Sequence, residues 1–215
     1  MSSVKDNVQR IRSSLPAPVR LVAVSKGRGA EDIESAIACG ISEFGESKLQ
    51  EAQKKGWTEI KAAHPNIILH FIGHLQRNKA KEAVSLFDVI QSVDSVALAQ
   101  KLAAEASEQK KKISIFIQFR ISGKESQSGY TSETELAQAV GEIRKLETIY
   151  SPYFKLEGLM GIASREQPRG DFARLRVLAK SFSLPLLSMG MSGDYEIAVE
   201  EGSGMVRIGR AIFED

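Results

Sequence analysis

The sequence predicts an α/β chain closed into one (β/α)8 TIM barrel, with an extra helix at its front. Two observations carry this. Short runs rich in valine and isoleucine alternate with stretches of helical periodicity, about eight strands to seven intervening helices, and no succession of hairpin signals interrupts them. No low-complexity linker or internal repeat divides the chain, so residues 1–215 read as a single domain. An open doubly wound sheet alternates in the same way, but it usually stops near five to seven strands.

The elements follow in order. Val4, Val8, Ile11 and Leu15 recur at helical spacing, and Pro16 and Pro18 end that helix. Val19 to Val24 is a short apolar run of the kind buried on both faces, and Lys26 stands where it stops. Ala30 to Cys39 places Ile33, Ala36 and Ile37 on one helical face and closes on Gly40. Further strands are expected at Ser42–Gly45, Ile67–Gly73, Phe87–Val93, Ile113–Ile121, Leu156–Ala163, Leu184–Met189 and Met205–Ile208. Helical patterns fall between them, among them Leu49–Ala63, Ser95–Ser107, Glu133–Ile149, Phe172–Ser181 and Tyr195–Glu201.

Composition narrows the function. With 29 basic and 27 acidic side chains the net charge is only +2, so nothing draws the whole molecule to nucleic acid or an anionic membrane. The lone Cys39 excludes an intramolecular disulfide and a cysteine-based metal cluster, and suits a reducing compartment. The amino terminus carries Lys5, Asp6, Arg10 and Arg12 where a signal peptide needs apolar residues, and no run approaches the roughly 18 apolar residues of a membrane span. A soluble cytoplasmic monomer is the expectation.

In a barrel of this kind the chemistry sits at the C-terminal ends of the strands. The seventh and eighth ends carry Ser188-Met189-Gly190-Met191-Ser192-Gly193 and Arg207-Ile208-Gly209-Arg210. Small residues let backbone N–H groups approach an anion, serine hydroxyls add donors, and a helix starting near Asp194 aims its positive end at the same place. A tight turn with an N-cap explains the same residues without a ligand. At the first strand end, burial and a neighbouring cation such as Arg207 would lower the pKa of Lys26 and make its amine nucleophilic toward an aldehyde, although a lysine in that position is commonly a solvated charge. An aldehyde-binding lysine and a phosphate site in one barrel together suggest pyridoxal phosphate.

Seven ordered motifs carry a resemblance that runs nearly end to end: Val22-Ala23-Val24-Ser25-Lys26; Phe44-Gly45-Glu46; His70-Phe71-Ile72-Gly73-His74-Leu75-Gln76-Arg77-Asn78-Lys79; Ile121-Ser122-Gly123-Lys124-Glu125-Ser126 with Ser128-Gly129; Gly158-Leu159-Met160-Gly161; Leu187 to Ser192; and Val206 to Phe213. The chain resembles the pyridoxal phosphate homeostasis proteins, the YggS or proline synthase co-transcribed family. That resemblance implies a barrel similar to the N-terminal domain of alanine racemase, with pyridoxal 5'-phosphate held as an internal aldimine on Lys26. It implies that Arg207 faces the pyridine nitrogen and keeps it unprotonated, that Ser188, Ser192, Gly209 and the backbone of Arg210 hold the phosphate, and that Ser47 lies near the cofactor. The implied role is to bind and buffer the cofactor and to influence amino-acid and keto-acid balance without a dedicated reaction; apoenzymes that use the cofactor are the implied partners.

Three departures bear on cofactor occupancy. Ser47 replaces the asparagine usual after Gly-Glu, Gly27-Arg28-Gly29 replaces Thr-Lys-Pro, and Arg120 replaces an asparagine at the fifth strand end, where an inward guanidinium would crowd the ring.

Other readings carry less. An amino-acid racemase needs proton donors on both faces, and in alanine racemase the second is a tyrosine of a C-terminal domain; this chain stops at Asp215, and Tyr130, Tyr150, Tyr153 and Tyr195 match no such motif. Slow racemisation or transamination through Lys26 alone stays open as the alternative. The basic runs Gln76–Lys81 and Lys110–Lys112 contain no aromatic residue, as single-strand binding would want, and read as solvated faces. Residues 40–47 miss a Walker A loop because Glu46 occupies the lysine position. His64, His70 and His74 form no ligand set, so no metal is expected; His70 alternates with Ile68 and Ile72, which fits either a place in the barrel interior near the cofactor or a satisfied core histidine.

Overall fold

A computed structural model describes residues 3–214. The chain opens with helix α1 (Val4–Ser14), started by Ser3, which accepts the Asp6 N–H while the Asp6 carboxylate accepts the Ser3 N–H. Then follow β1 (Arg20–Val24), α2 (Ala30–Ala38), β2 (Glu43–Glu46), α3 (Leu49–Lys54), α4 (Trp57–Ala63) and β3 (Ile68–Phe71). A single 3-10 turn, Arg77–Lys79, leads into α5 (Ala80–Leu86), β4 (Val89–Val93), α6 (Val96–Glu108), β5 (Ile113–Gln118) and α7 (Glu133–Ile149). The last third is β6 (Phe154–Met160), α8 (Pro168–Ser181), β7 (Leu186–Ser188), α9 (Tyr195–Glu200), β8 (Met205–Ile208) and α10 (Arg210–Phe213).

The strands pair in parallel in chain order, and β1 closes the barrel on β8 with Val22 opposite Arg207. The predicted barrel and its front helix are therefore present. Alternation along the strands divides the buried apolar residues into two clusters. The larger lies between strands and helices and includes Phe44, which packs on Trp57 at 5.2 Å, and Phe71, which meets Phe87 edge to face at 5.0 Å. The smaller, formed by Val22, Val89, Phe116, Met160 and Met205, fills the barrel itself. That small interior core leaves space for polar side chains along the axis.

Local expectations change in several places, among them α8, which starts at Pro168 rather than Phe172, α10, which was not expected, and β5 and β6, which end at Gln118 and Met160. The predicted helix Leu49–Ala63 is two helices, because Gly56 adopts φ +74° between them. Between β3 and β4 the basic run forms the 3-10 turn and α5, where the sequence suggested no particular helix. Strand β6 begins two residues early, at Phe154, since that residue pairs with Ile113.

Candidate functional site

The C-terminal ends of the strands surround a cavity of about 970 Å³. Lys26, Ser192, Arg207, Gly209 and Arg210, far apart in sequence, all line it. So do Arg28, Lys124 and Arg165, giving six cationic side chains against the carboxylates of Asp194 and Glu214. A cavity with that balance attracts anions.

Lys26 sits on the turn after β1, exposed, with no hydrogen bond or ion pair to its ammonium among the described residues. Its neighbours on both sides are tied down. Glu46 is fully buried, and its Oε1 accepts from Ser25 Oγ at 2.8 Å, Lys55 Nζ at 2.7 Å and Trp57 Nε1 at 3.1 Å. Lys55 also donates to the Ser25 carbonyl at 2.6 Å, while Glu51 accepts the Gly27 N–H at 2.6 Å and pairs with Lys55 at 3.2 Å. The Gly27 bond holds the Glu51 carboxyl below its ordinary value, against its slight burial and with help from Lys55. Residues 25 and 27 are thus clamped to α3 and its flanking residues, and Lys26 is presented between them; Gly27 permits the turn with φ +73°. Sequence reasoning missed this clamp, whose only signal was Glu46 among aromatic and basic residues.

Arg207, on β8 beside β1, lines the same cavity and is 4% exposed. Burial pulls it down to about 10, opposed by Asp194, so it remains a cation at neutral pH. Its Nη2 donates to the Gly161 carbonyl at 3.0 Å and its Nη1 to Ser188 Oγ at 2.6 Å.

The β7–α9 loop folds back on itself because Gly190 adopts φ +96° with Ala198 and Tyr195 packed against it; a Cβ there would lie 2.7 Å from the Ala198 methyl. Asp194 accepts the Met191 N–H at 2.6 Å, and Ser192 Oγ accepts the Ala211 N–H at 3.3 Å, joining this loop to α10. The N–H groups of Ser192 and Gly193 make no hydrogen bond among the described residues. They supply unspent donors beside Arg210, and Gly193 has open space where a side chain would be.

Two expected site residues lie elsewhere. Ser188 is fully buried below the cavity wall, donating to Gln91 Oε1 at 2.6 Å and accepting from Arg207, so its one proton is committed inside the barrel and is not offered to an anion in the cavity. Ser47 lines a separate cavity with Lys48, Glu51, Lys55, His74 and Lys79, on the other side of the clamp from Lys26. Arg120 does not line the main cavity; its Nη1 donates to the Glu125 and Gln127 carbonyls at 3.4 Å, so it braces the loop that carries the cavity-lining Gln127. No tyrosine lines the cavity among the described residues: Tyr195 Oη meets Ser14 and Glu196, and the Tyr130 hydroxyl is buried. Among the described residues, no group of three His, Cys, Asp or Glu side chains gathers as a metal site.

The chain matches the family of the alanine racemase N-terminal domain over residues 1–215. It is 40% identical to the pyridoxal phosphate homeostasis protein of Synechocystis sp., over 95% of each chain. The structure of PipY from Synechococcus elongatus without PLP is similar with a TM-score of 0.90 at 33% identity, covering 98% of this chain and all of that one. The same protein with PLP bound gives 0.86 at 34% identity, with the same coverage. Alanine racemase from Clostridium difficile shares the fold, with a TM-score of 0.76 at 15% identity over 98% of this chain and 56% of that one. With a match across its whole length and a full-length relative at this identity, the chain belongs to the alanine racemase N-terminal-domain family and, within it, to the pyridoxal phosphate homeostasis proteins.

Proposed function

We propose that the protein binds pyridoxal phosphate in the cavity between Lys26 and Arg207, and takes part in intracellular homeostasis of that cofactor and in amino-acid and keto-acid balance without a dedicated reaction. The observation that carries this is the convergence of an unpaired lysine amine, a buried guanidinium and unspent N–H donors on one cavity. The residues fit the group. When bound, the cofactor supplies an aldehyde for a lysine amine and a phosphate for a cluster of donors. Lys26 would hold the aldehyde carbon, and Ser192, Gly193, Gly209 and Arg210 would hold the phosphate. Arg207 would face the ring nitrogen, where a permanent cation keeps that nitrogen unprotonated and weakens the electron sink that catalysis exploits. The carboxylate of Asp194 beside the donors limits how much negative charge the cradle retains.

The relative's structure with PLP bound, at 34% identity, and the curated names of the relatives support this reading. No helix among the described residues is long and apolar enough to cross a membrane. The setting we propose is cytoplasmic, with the protein a monomer whose partners are the cofactor and the apoenzymes that use it.

The test is absorbance of the purified protein with pyridoxal phosphate, followed by borohydride reduction and peptide mass analysis. Lys124 also lines the cavity, so Lys26→Ala and Lys124→Ala are compared. Loss of the visible band and of the reduced adduct in Lys26→Ala alone is the expected result. An adduct that persists in Lys26→Ala or forms on Lys124 refutes the assignment of Lys26, and no binding by wild type refutes the function. Lys26 is exposed and has no partner among the described residues, so its replacement leaves the fold intact.

A further inference from the structure

Below the cavity, a line of hydrogen bonds crosses the barrel interior through side chains of six strands. Arg207 Nη1 donates to Ser188 Oγ at 2.6 Å, and Ser188 Oγ donates to Gln91 Oε1 at 2.6 Å. Gln91 Nε2 meets His70 Nδ1 at 2.9 Å, and His70 Nε2 meets Glu43 Oε2 at 3.0 Å. Glu43 is held at the far end by Arg20, which donates from Nε at 2.9 and 3.1 Å and from Nη2 at 2.8 Å. Ser188, Gln91 and His70 are fully buried. Buried polar groups cost free energy unless hydrogen-bonded, and each of these meets a side-chain partner.

The protons along this line have one neutral solution. A guanidinium only donates, so Ser188 Oγ accepts from it and passes its own proton to Gln91 Oε1. The Gln91 amide then donates from Nε2 to His70 Nδ1 and to Met205 Sδ, the latter at 3.1 Å. His70 is left with its proton on Nε2, aimed at the Glu43 carboxylate. Turning the amide over would face its oxygen toward Met205 sulfur and leave the Ser188 proton without an acceptor. It would also require a proton on His70 Nδ1, so that Nε2 either directs a lone pair at a carboxylate or makes the buried ring a cation. Burial pushes His70 below its ordinary value, against the pull of Glu43. The bonds from His70 and Arg20 overcome burial and hold Glu43 down as a carboxylate.

We propose that Gln91 and His70 are positioning residues for Arg207: through Ser188 they set the direction of the guanidinium, and Glu43 with Arg20 anchors the line at the opposite end of the barrel. This deepens the proposed cofactor site and rests on that reading for what Arg207 faces, while the line itself does not depend on it. The Ser188 hydroxyl, expected in the phosphate cradle, is instead the link between Arg207 and the interior.

The experiment has one arm without cofactor and one with it. In the apo protein labelled with 15N, long-range 1H–15N spectra are expected to show His70 as the neutral Nε2–H tautomer at pH 7, and Gln91→Leu is expected to shift the Arg207 guanidinium resonances. With pyridoxal phosphate, Gln91→Leu is expected to weaken binding about 3- to 10-fold, the size of one internal hydrogen bond, while the reduced adduct still forms on Lys26. An Nδ1–H tautomer or an imidazolium at pH 7 in wild type overturns the proposal, as does a Gln91→Leu protein whose Arg207 resonances and affinity match wild type. Should Gln91→Leu fail to fold, the wild-type tautomer and the milder Ser188→Ala variant decide the matter by the same readouts. Absence of cofactor binding in wild type would sink the function and leave the apo spectra to decide the relay.

Discussion

Replacing Lys55 with methionine tests whether the clamp around Lys26 is a mechanical support. The Lys55 side chain is 10% exposed, its partner Glu46 is fully buried, and they meet at 2.7 Å. At an effective dielectric of about 20, that separation corresponds to about 6 kcal/mol of gross attraction, most of it offset by the desolvation of both groups. Removing one partner leaves the other charge buried, and for such pairs the cost is about 3–5 kcal/mol. Glu46 keeps Ser25 Oγ and Trp57 Nε1 as donors, which places the loss near the lower end, about 3 kcal/mol. The loss is compounded locally, because the Ser25 carbonyl also loses its donor. Trp57, the single tryptophan, donates to the same carboxylate and reports unfolding directly by fluorescence in a urea titration. A stability loss below about 1 kcal/mol would put the pair in the class of surface ion pairs and refute the clamp. Restoration by Glu46→Leu in the Lys55→Met background would show that the orphaned carboxylate, rather than lost packing, carries the cost.

Three further expectations follow from the same geometry. Gly190→Ala forces a Cβ to 2.7 Å from the Ala198 methyl at φ +96°, so it should cost about 1–3 kcal/mol in thermal or urea unfolding and weaken pyridoxal phosphate binding by displacing Ser192; unchanged affinity would separate that loop from the cradle. Arg120→Asn removes a group that braces the loop from outside the cavity, so affinity should stay within about twofold by titration, and a larger gain would mean that the guanidinium reaches the ring after all. Burial pulls Lys111 down to about 8, opposed by Asp88 and reinforced by Lys61. Its folded value lies below the ordinary 10.5, so between about pH 8 and 10.5 the unfolded chain holds the extra proton and stability climbs with pH. Lys111→Met should therefore raise the Tm at pH 7 by about 2–4 °C and flatten that climb, since Lys61 still holds Asp88 at 2.5 and 2.7 Å; a lower Tm would show that Lys111 is needed by Asp88.

Much of the molecule was legible in the chain. Alternating apolar runs and helical stretches pointed to a parallel sheet, because each strand buried on both faces needs a helix to return the chain, and the count of about eight strands favoured closing it into a barrel. The rule that barrel chemistry gathers at strand C-termini places Lys26, Ser192, Arg207, Gly209 and Arg210 together, and all five line one cavity. Period-two alternation also fitted an inward His70. The break at Gly56 was missed because the apolar spacing of the flanking helices continues across it, while the positive φ is a property of the turn they make.

What the tertiary structure alone decided is how polar side chains are shared. Ser188 and Gln91 are 97 residues apart and meet across the barrel axis, where stagger between strands, not the pattern within either, sets which interior residues face each other. That meeting removed Ser188 from the expected cradle and gave it to Arg207. Ser47 fell on the far side of the clamp and Arg120 turned into its own loop, because both stand beyond strand ends, where no periodicity constrains direction. Local pattern determines which elements form and which face is buried; a hydrogen bond between distant buried groups depends on the closed barrel, and no single segment encodes it.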